Sequence, residues 1–182
     1  GSATQFSEVD IHRVLDDTLQ LLEPQLRHNQ IEIVRAYEPE LPGVFGNAGK
    51  LQQVFTNLLL NAFDAVAGPG AGKAPSDGLG HGRQGRIEIS LEADAAMLRV
   101  RIRDNGPGIP QEKLESVFQP FYSTKLNRGG TGLGLSISSE IVRRHGGALR
   151  AESSPGEGAC FIVELPRENA AEAPARVSGT SA

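Results

Sequence analysis

Apolar residues recur at Ile11, Val14, Leu15, Leu19, Leu22 and Leu26, close to the 3.6-residue period of a helix across residues 10–29. Asp10 suits the N-cap, and Pro24 is expected to bend or interrupt that helix. Residues 31–37 (IEIVRAY) alternate as a half-buried strand does, and Pro-Glu-Leu-Pro-Gly after them forces a loop. Residues 48–67 read as a long helix, apolar over most of its circumference. Glycine, proline and small polar residues dominate 68–85, a composition that predicts a flexible loop without a packed core. Two alternating segments, 86–93 and 97–103, follow as a hairpin. A short helical patch is expected at 111–117, then an irregular segment over 118–131 that ends in glycine. A helix over 133–145 stops at Gly146-Gly147, and strands at 148–153 and 159–165 close the pattern.

Strands cluster here instead of alternating one-for-one with helices. That order predicts an α+β two-layer sandwich, not a doubly wound sheet, and it shows no internal repeat. Residues 6–166 form the expected domain. Residues 1–5 are expected to be a leader whose Gly1-Ser2 is a tag remnant, and 167–182, rich in Ala, Glu and Ser without periodicity, a disordered tail or linker. Composition narrows the picture further. The 182 residues lack tryptophan and are 5% aromatic, so the core rests on Leu, Ile, Val and Ala. A net charge of −4 argues against a nucleic-acid partner. The single Cys160 excludes a disulfide within the chain and fits a reducing compartment, and no apolar run approaches a membrane span.

Three constellations carry candidate chemistry. In TNLLLNAFDAV, residues Asn57, Asn61 and Asp64 share one helical face, which Lys50 and Gln53 extend backwards. Asparagine is a poor helix former, so two of them one turn apart among leucines ask for a reason. One reason is a neutral oxygen offered to a hard cation such as Mg²⁺; the other is an ordinary solvated helix face. The second constellation, Asp104-Asn105-Gly106-Pro107-Gly108-Ile109-Pro110, follows a strand. A carboxylate there can accept from an exocyclic amine such as that of adenine, and the glycines let a flat ring approach the backbone. The same residues also make good turn chemistry, although PQEKLESVF after them looks helical, not like a returning strand. The third, Gly129-Gly130-Thr131-Gly132-Leu133-Gly134-Leu135-Ser136, opens a helix whose N-terminal amides favour an anion, with Lys125 and Arg128 just upstream. A flexible glycine loop capping the helix is the plainer reading. The spacing is wrong for a dinucleotide fingerprint, and Gly70-Ala71-Gly72-Lys73-Ala74 is too short for a P-loop.

Taken in this order, with VFQPFYSTK between the second and third, the motifs resemble the N, G1, F and G2 boxes of the ATP-binding catalytic domain of sensor histidine kinases. That domain belongs to the gyrase, Hsp90, kinase and MutL superfamily, and the stretches FQPFYSTK and GTGLGLS look most like the nitrogen-regulator and dicarboxylate-sensor type. The resemblance covers residues 6–166. It implies a Bergerat-type fold, a mixed sheet of about five strands with three helices on one face. It also implies that Asn61 is the principal Mg²⁺ ligand and Asn57 an assisting one at the metal and phosphates, with Asp64 alongside. Asp104 would bind the adenine amine in a pocket shaped by Gly106, Gly108 and Ile109. Phe118 and Phe121 would anchor an ATP lid spanning 112–131. Lys125 would reach the terminal phosphate, and Thr124, Arg128, Gly130, Thr131, Gly132, Leu133, Gly134 and Leu135 would line the phosphate side.

The same resemblance implies ATP and Mg²⁺ as ligands. The partners it implies are a dimerisation domain carrying the phosphoacceptor histidine and a response regulator receiver domain. The setting is cytoplasmic, in a homodimeric parent of a family commonly anchored in the inner membrane, with this chain alone monomeric. No histidine here stands in an acceptor context: His12, His28, His81 and His145 read as surface or helix-end residues, so the chain alone is not expected to phosphorylate itself. Two positions depart from the family pattern: Ala159 replaces a common Thr, and Asn47 a common Asp. The alternatives are another ATPase of the superfamily, such as an Hsp90- or MutL-like clamp, and a degenerate nucleotide-sensing module.

Overall fold

A computed structural model describes residues 5–67, 84–122 and 132–167. Residues 1–4 of the expected leader, 68–83 of the expected loop, 123–131 of the expected lid and the expected tail from residue 168 lie outside the described residues. The described elements run β1 (Ser7–Val9), α1 (Ile11–His28), β2 (Glu32–Tyr37), β3 (Val44–Gly46), α2 (Ala48–Ala67), β4 (Arg86–Ala93), β5 (Met97–Asp104), α3 (Gly134–Arg144), β6 (Ala148–Ser153) and β7 (Ala159–Pro166). Five strands form one mixed sheet in the order β2-β4-β5-β7-β6, in which β2 pairs parallel with β4 and the other pairs are antiparallel. β1 and β3 form a separate antiparallel ribbon, Val9 opposite Val44.

Period-two patterning directs one face of the sheet inward. Ile87, Ile89 and Leu91 of β4, Leu98, Val100 and Ile102 of β5, and Phe161, Val163 and Leu165 of β7 are all buried on that face. α2 packs between α1 and α3, and buries Leu51, Val54, Phe55, Leu58, Leu59, Ala62 and Val66 in the same core. The other face of the sheet is laced by charge: Arg99 and Arg150 both reach Glu164, at 3.2 and 3.1 Å, and Arg101 pairs with Glu92. Cys160 and Ile162 are buried on this face, and burial pushes the Cys160 thiol up, away from thiolate chemistry. The expected α+β sandwich is therefore the observed one.

Three local expectations need correction. Of the two outcomes expected at Pro24, a bend or an interruption, the interruption does not occur: α1 continues through it, and Pro24 and Gln20, whose carbonyl the missing N–H would have met, are both exposed, so water can serve that carbonyl. Leu22 and Leu26 stay buried on either side and hold the helix to the core. The patch at 111–117 is two 3₁₀ turns, Gln111–Lys113 and Ser116–Phe118, and not one helix. β1 and β3, of three residues each, were not expected, since so short a segment carries no readable period and forms only by pairing. Asp10 does cap α1, its Oδ1 accepting from Arg13 N–H at 3.3 Å.

The β4–β5 turn generates a pH prediction. Asp94 Oδ1 accepts the N–H groups of Ala96 and Met97 at 2.8 and 2.9 Å, and Arg99 lies 2.7 Å from Oδ2. These bonds, the two backbone N–H groups first, hold the carboxyl down from an ordinary 3.8 to about 2. A depressed carboxylate contributes stability that is fully present above about pH 4 and is lost as pH falls through the folded value. Denaturant unfolding of Asp94→Asn should therefore show a shallower loss of stability between about pH 4 and pH 2 than the parent chain. Parallel curves across that window would remove Asp94 from the acid response.

Candidate functional site

α2 supplies the axis of the site. Buried apolar side chains cover most of its surface, and the uncovered strip carries Asn57 and Asn61, both half-buried, with Asp64 exposed one turn on. The two glycine-bearing segments meet this helix at two heights. At one, Asn57 Nδ2 donates to the Gly134 carbonyl and to Ser138 Oγ, both at 3.2 Å, tying α2 to the first turns of α3. At the other, Gly106 lies against Ala65, where an added Cβ would come within 2.9 Å of both the Ala65 Cβ and its carbonyl oxygen. Asn61 falls between these two contacts, one helical turn from each. Its side chain makes no hydrogen bond to another described residue, whereas the Asn57 amide is engaged with α3.

Asp104 ends β5 on the core-facing side and is 3% exposed. Its Oδ1 accepts from the N–H of Gly106 at 2.8 Å and of Ala159 at 3.3 Å, which orients the carboxylate and helps offset its burial. The segment after it is clamped from both sides. Asn105 latches back to the start of β4, accepting from Arg86 N–H and donating to the Gln84 carbonyl, both at 2.8 Å. Ile109 N–H donates to Ser153 Oγ, which in turn donates to the Gly158 carbonyl, both at 2.7 Å. Gly108, at φ +76°, packs on the Ser154 carbonyl, and Gly158, at φ +85°, on that of Asp104. The chain then enters the 3₁₀ turns and does not return as a strand, so the hairpin reading of this motif falls away.

At the third constellation, Leu133 occupies the N-cap of α3 and offers no side-chain oxygen to the first-turn amides. Leu135 packs against the core, and Gly132, at φ +66°, lies against the Phe121 backbone. Phe118 packs edge-on to Phe161 at 6.4 Å. Phe121 is 69% exposed and meets Gly132 through its backbone. Thr124, Lys125, Arg128, Gly130 and Thr131 lie outside the described residues. Sequence reasoning missed Ser138, Ser153 and the backbone of Ala159. A serine inside an apolar helix stripe was the one available signal for Ser138, which is fully buried. His145, read as a surface or helix-end residue, does end α3 but is buried.

A sequence model of the family described as histidine kinase-, DNA gyrase B-, and HSP90-like ATPase matches residues 46–169. The sensor histidine kinase ZraS of Klebsiella oxytoca is 34% identical over 163 residues, covering 89% of this chain and 32% of that protein. The sensory histidine kinase/phosphatase NtrB of Azospirillum brasilense is 35% identical over 177 residues, covering 92% of this chain and 42% of that protein. The chain thus spans less than half the length of either relative. Among solved structures, the nucleotide-free catalytic domain of histidine kinase ThkA matches with a TM-score of 0.74 at 30% identity, over 90% of this chain and 99% of that one. ThkA in complex with the response regulator protein TrrA matches with a TM-score of 0.70 at 28% identity, over 89% of this chain and 42% of that one.

Two glycines isolate the packing around Asp104. Gly156 and Gly158 share a left-handed backbone, φ +83° and +85°, but Gly156 has open space where a Cβ would go and Gly158 meets the Asp104 carbonyl. Gly156→Ala should cost about 1–2 kcal/mol from backbone strain alone. Gly158→Ala should cost more in the same denaturant titration; equal losses would mean that this contact is easily relaxed.

Proposed function

Because the chain belongs to the histidine kinase-, DNA gyrase B-, and HSP90-like ATPase family, we propose that it is the ATP-binding catalytic domain of a two-component sensor histidine kinase. In this reading it binds Mg-ATP and donates the γ-phosphoryl group to a histidine on a separate dimerisation domain, for relay to a response regulator. The observation that carries it is the convergence of both glycine-bearing segments on one strip of α2, with Asn61 between them and the carboxylate of Asp104 beyond Gly106. Relatives and structural neighbours named as histidine kinases favour this branch over a clamp-type ATPase.

Each residue then has a task. Asp104 accepts from the exocyclic amine of adenine, and Gly106 and Gly108 keep the backbone low enough for the ring to enter. The amides at the start of α3, with Gly130, Gly132 and Gly134, receive the phosphates, and Lys125 meets the terminal one. Asn61 fits a Mg²⁺ ligand: its amide has no partner among the described residues, and no cluster of three or more acidic, His or Cys side chains competes there. Bound with the triphosphate, Mg²⁺ supplies charge neutralisation. Asn57 keeps the α3 end in place through its amide. Transfer breaks the bond between the γ-phosphorus and the β–γ bridging oxygen as the acceptor imidazole nitrogen attacks in line, and ADP leaves. The chain's contribution is positioning and electrostatics.

In this reading the acceptor lies on another domain, since none of the four histidines of this chain is followed by the acidic residue of an acceptor motif, and His28 is a solvated residue at the end of α1. His12 Nε2 lies 2.9 Å from the Glu38 carbonyl, and His145 is enclosed. No described helix is long and apolar enough to cross a membrane. The domain is read as cytoplasmic and monomeric by itself, within a homodimeric parent.

Calorimetric titration with ATP and GTP, with and without Mg²⁺, tests the reading. At Asp104→Asn the amide oxygen remains with the Gly106 and Ala159 N–H groups and an NH₂ takes the place of Oδ2. That donor opposes the adenine amine and suits the guanine oxygen, so preference for ATP over GTP should fall about 10- to 100-fold. Unchanged preference would move the base elsewhere. At Asn61→Ala, Mg²⁺ should no longer strengthen triphosphate binding; if it still does, another residue holds the metal.

A further inference from the structure

His145 sits at the opposite end of α3 from the glycine run, buried to 6% exposure, and the proposed chemistry makes no use of it. Both ring nitrogens are engaged. The Asn47 backbone N–H donates to Nε2 at 3.0 Å, and Nδ1 lies 2.7 Å from the Ile141 carbonyl. A backbone N–H can only donate, so Nε2 must carry the lone pair and Nδ1 the proton, which it donates to Ile141. The ring is neutral and locked in one tautomer. Phe6 stacks on it at 4.8 Å, and Gly46 passes so close that a Cβ would come within 2.7 Å of its Cδ2.

Asn47 is the residue from which α2 begins: its Oδ1 accepts from Lys50 N–H at 2.9 Å and its carbonyl from Leu51 N–H at 3.0 Å. His145 therefore ties the N-terminus of α2 to the C-terminus of α3. Asn57 makes the matching tie ten residues further along α2, to Gly134 and Ser138 at the start of α3. The two helices run antiparallel, and these ties lie about 15 Å apart along the interface. Between them both helices bury apolar side chains, Leu51 and Val54 on α2 and Ile141 and Val142 on α3. Apolar contact is non-directional and tolerates sliding of one helix along another; two hydrogen-bonded ends do not.

We infer that His145 is a positioning residue for the phosphate subsite: through its Nδ1-protonated tautomer it sets the register of α3 against α2, and so places Gly132, Leu133 and Gly134 relative to Asn57 and Asn61. The inference rests on the nucleotide reading above and adds to it a residue at the far end of the helix pair. It separates phosphate binding from adenine binding, since Asp104, Gly106 and Gly108 are held by β4, β6, β7 and Ala65 and not by α3.

Two variants split the ring's two bonds. His145→Asn offers a donor near Nδ1 but cannot reach Asn47. His145→Gln can set its Oε1 near Nε2 and accept from Asn47. With the 182-residue chain, ATP affinity by calorimetry should fall about 3- to 10-fold in H145N and recover in H145Q. Adenosine affinity, followed by NMR shifts, should stay within about two-fold in both. An unchanged ATP affinity in H145N, or an equal fall for adenosine and ATP, overturns the inference. If H145N does not fold, a long-range ¹H–¹⁵N spectrum of the parent chain decides: a proton on Nδ1 supports the tie, and one on Nε2 overturns it. Failure of the parent chain itself to bind ATP overturns the nucleotide reading, and this inference with it, before any variant is compared.

Discussion

Burial of α2 leaves one strip of its surface without apolar cover, and the rest of the candidate site is arranged along it. The helix lies between α1 and α3 with Leu51, Leu58, Leu59, Phe55 and both its valines in the core. Polar side chains are admitted only where no neighbour needs packing atoms. Asn57 and Asn61 stand there at a cost in helix propensity, which the surrounding apolar burial offsets. Because the strip is straight and rigid, contacts one turn apart on it become distances between subsites. Gly134 meets it at Asn57 and Gly106 meets it at Ala65, so the helix works as a ruler between the two glycine-bearing segments.

Glycine serves the site by allowing close approach. Gly106 against Ala65, Gly108 against Ser154 and Gly158 against Asp104 each occupy space that a Cβ would fill. Together they let the Asp104 loop sink between α2 and the β6–β7 turn, and the backbone donors there face the carboxylate. A buried carboxylate needs such donors, since its solvation by water is lost. The site is thus assembled from backbone groups as much as from side chains, Ala159 among them, whose contribution is its N–H.

Much of this was legible in the sequence. α2, β4, β5, β6 and β7 carry strong periods of 3.6 or two residues, and these local patterns survive into the fold with boundaries shifted by a residue or so. The order of Asn57, Asn61, Asp104 and the glycine run pointed to the family that the comparisons bear out. What could not be read was short or non-local. β1 and β3 exist only as partners of one another, the continuity of α1 through Pro24 depends on which face water reaches, and the backbone contact of Phe121 depends on where Gly132 returns.

Local chemistry by itself therefore determined which segments are helix or strand, which face of each is apolar, and which residue types stand in the candidate site. Tertiary structure alone decided that Asn57 holds α3, that Asp104 is oriented by Ala159 from a distant strand, and that His145 is buried with a fixed tautomer. The reason is physical: periodicity is a property of neighbouring residues, whereas each of those hydrogen bonds joins groups more than fifty positions apart, and only the packed sheet and helices bring them within 3.3 Å.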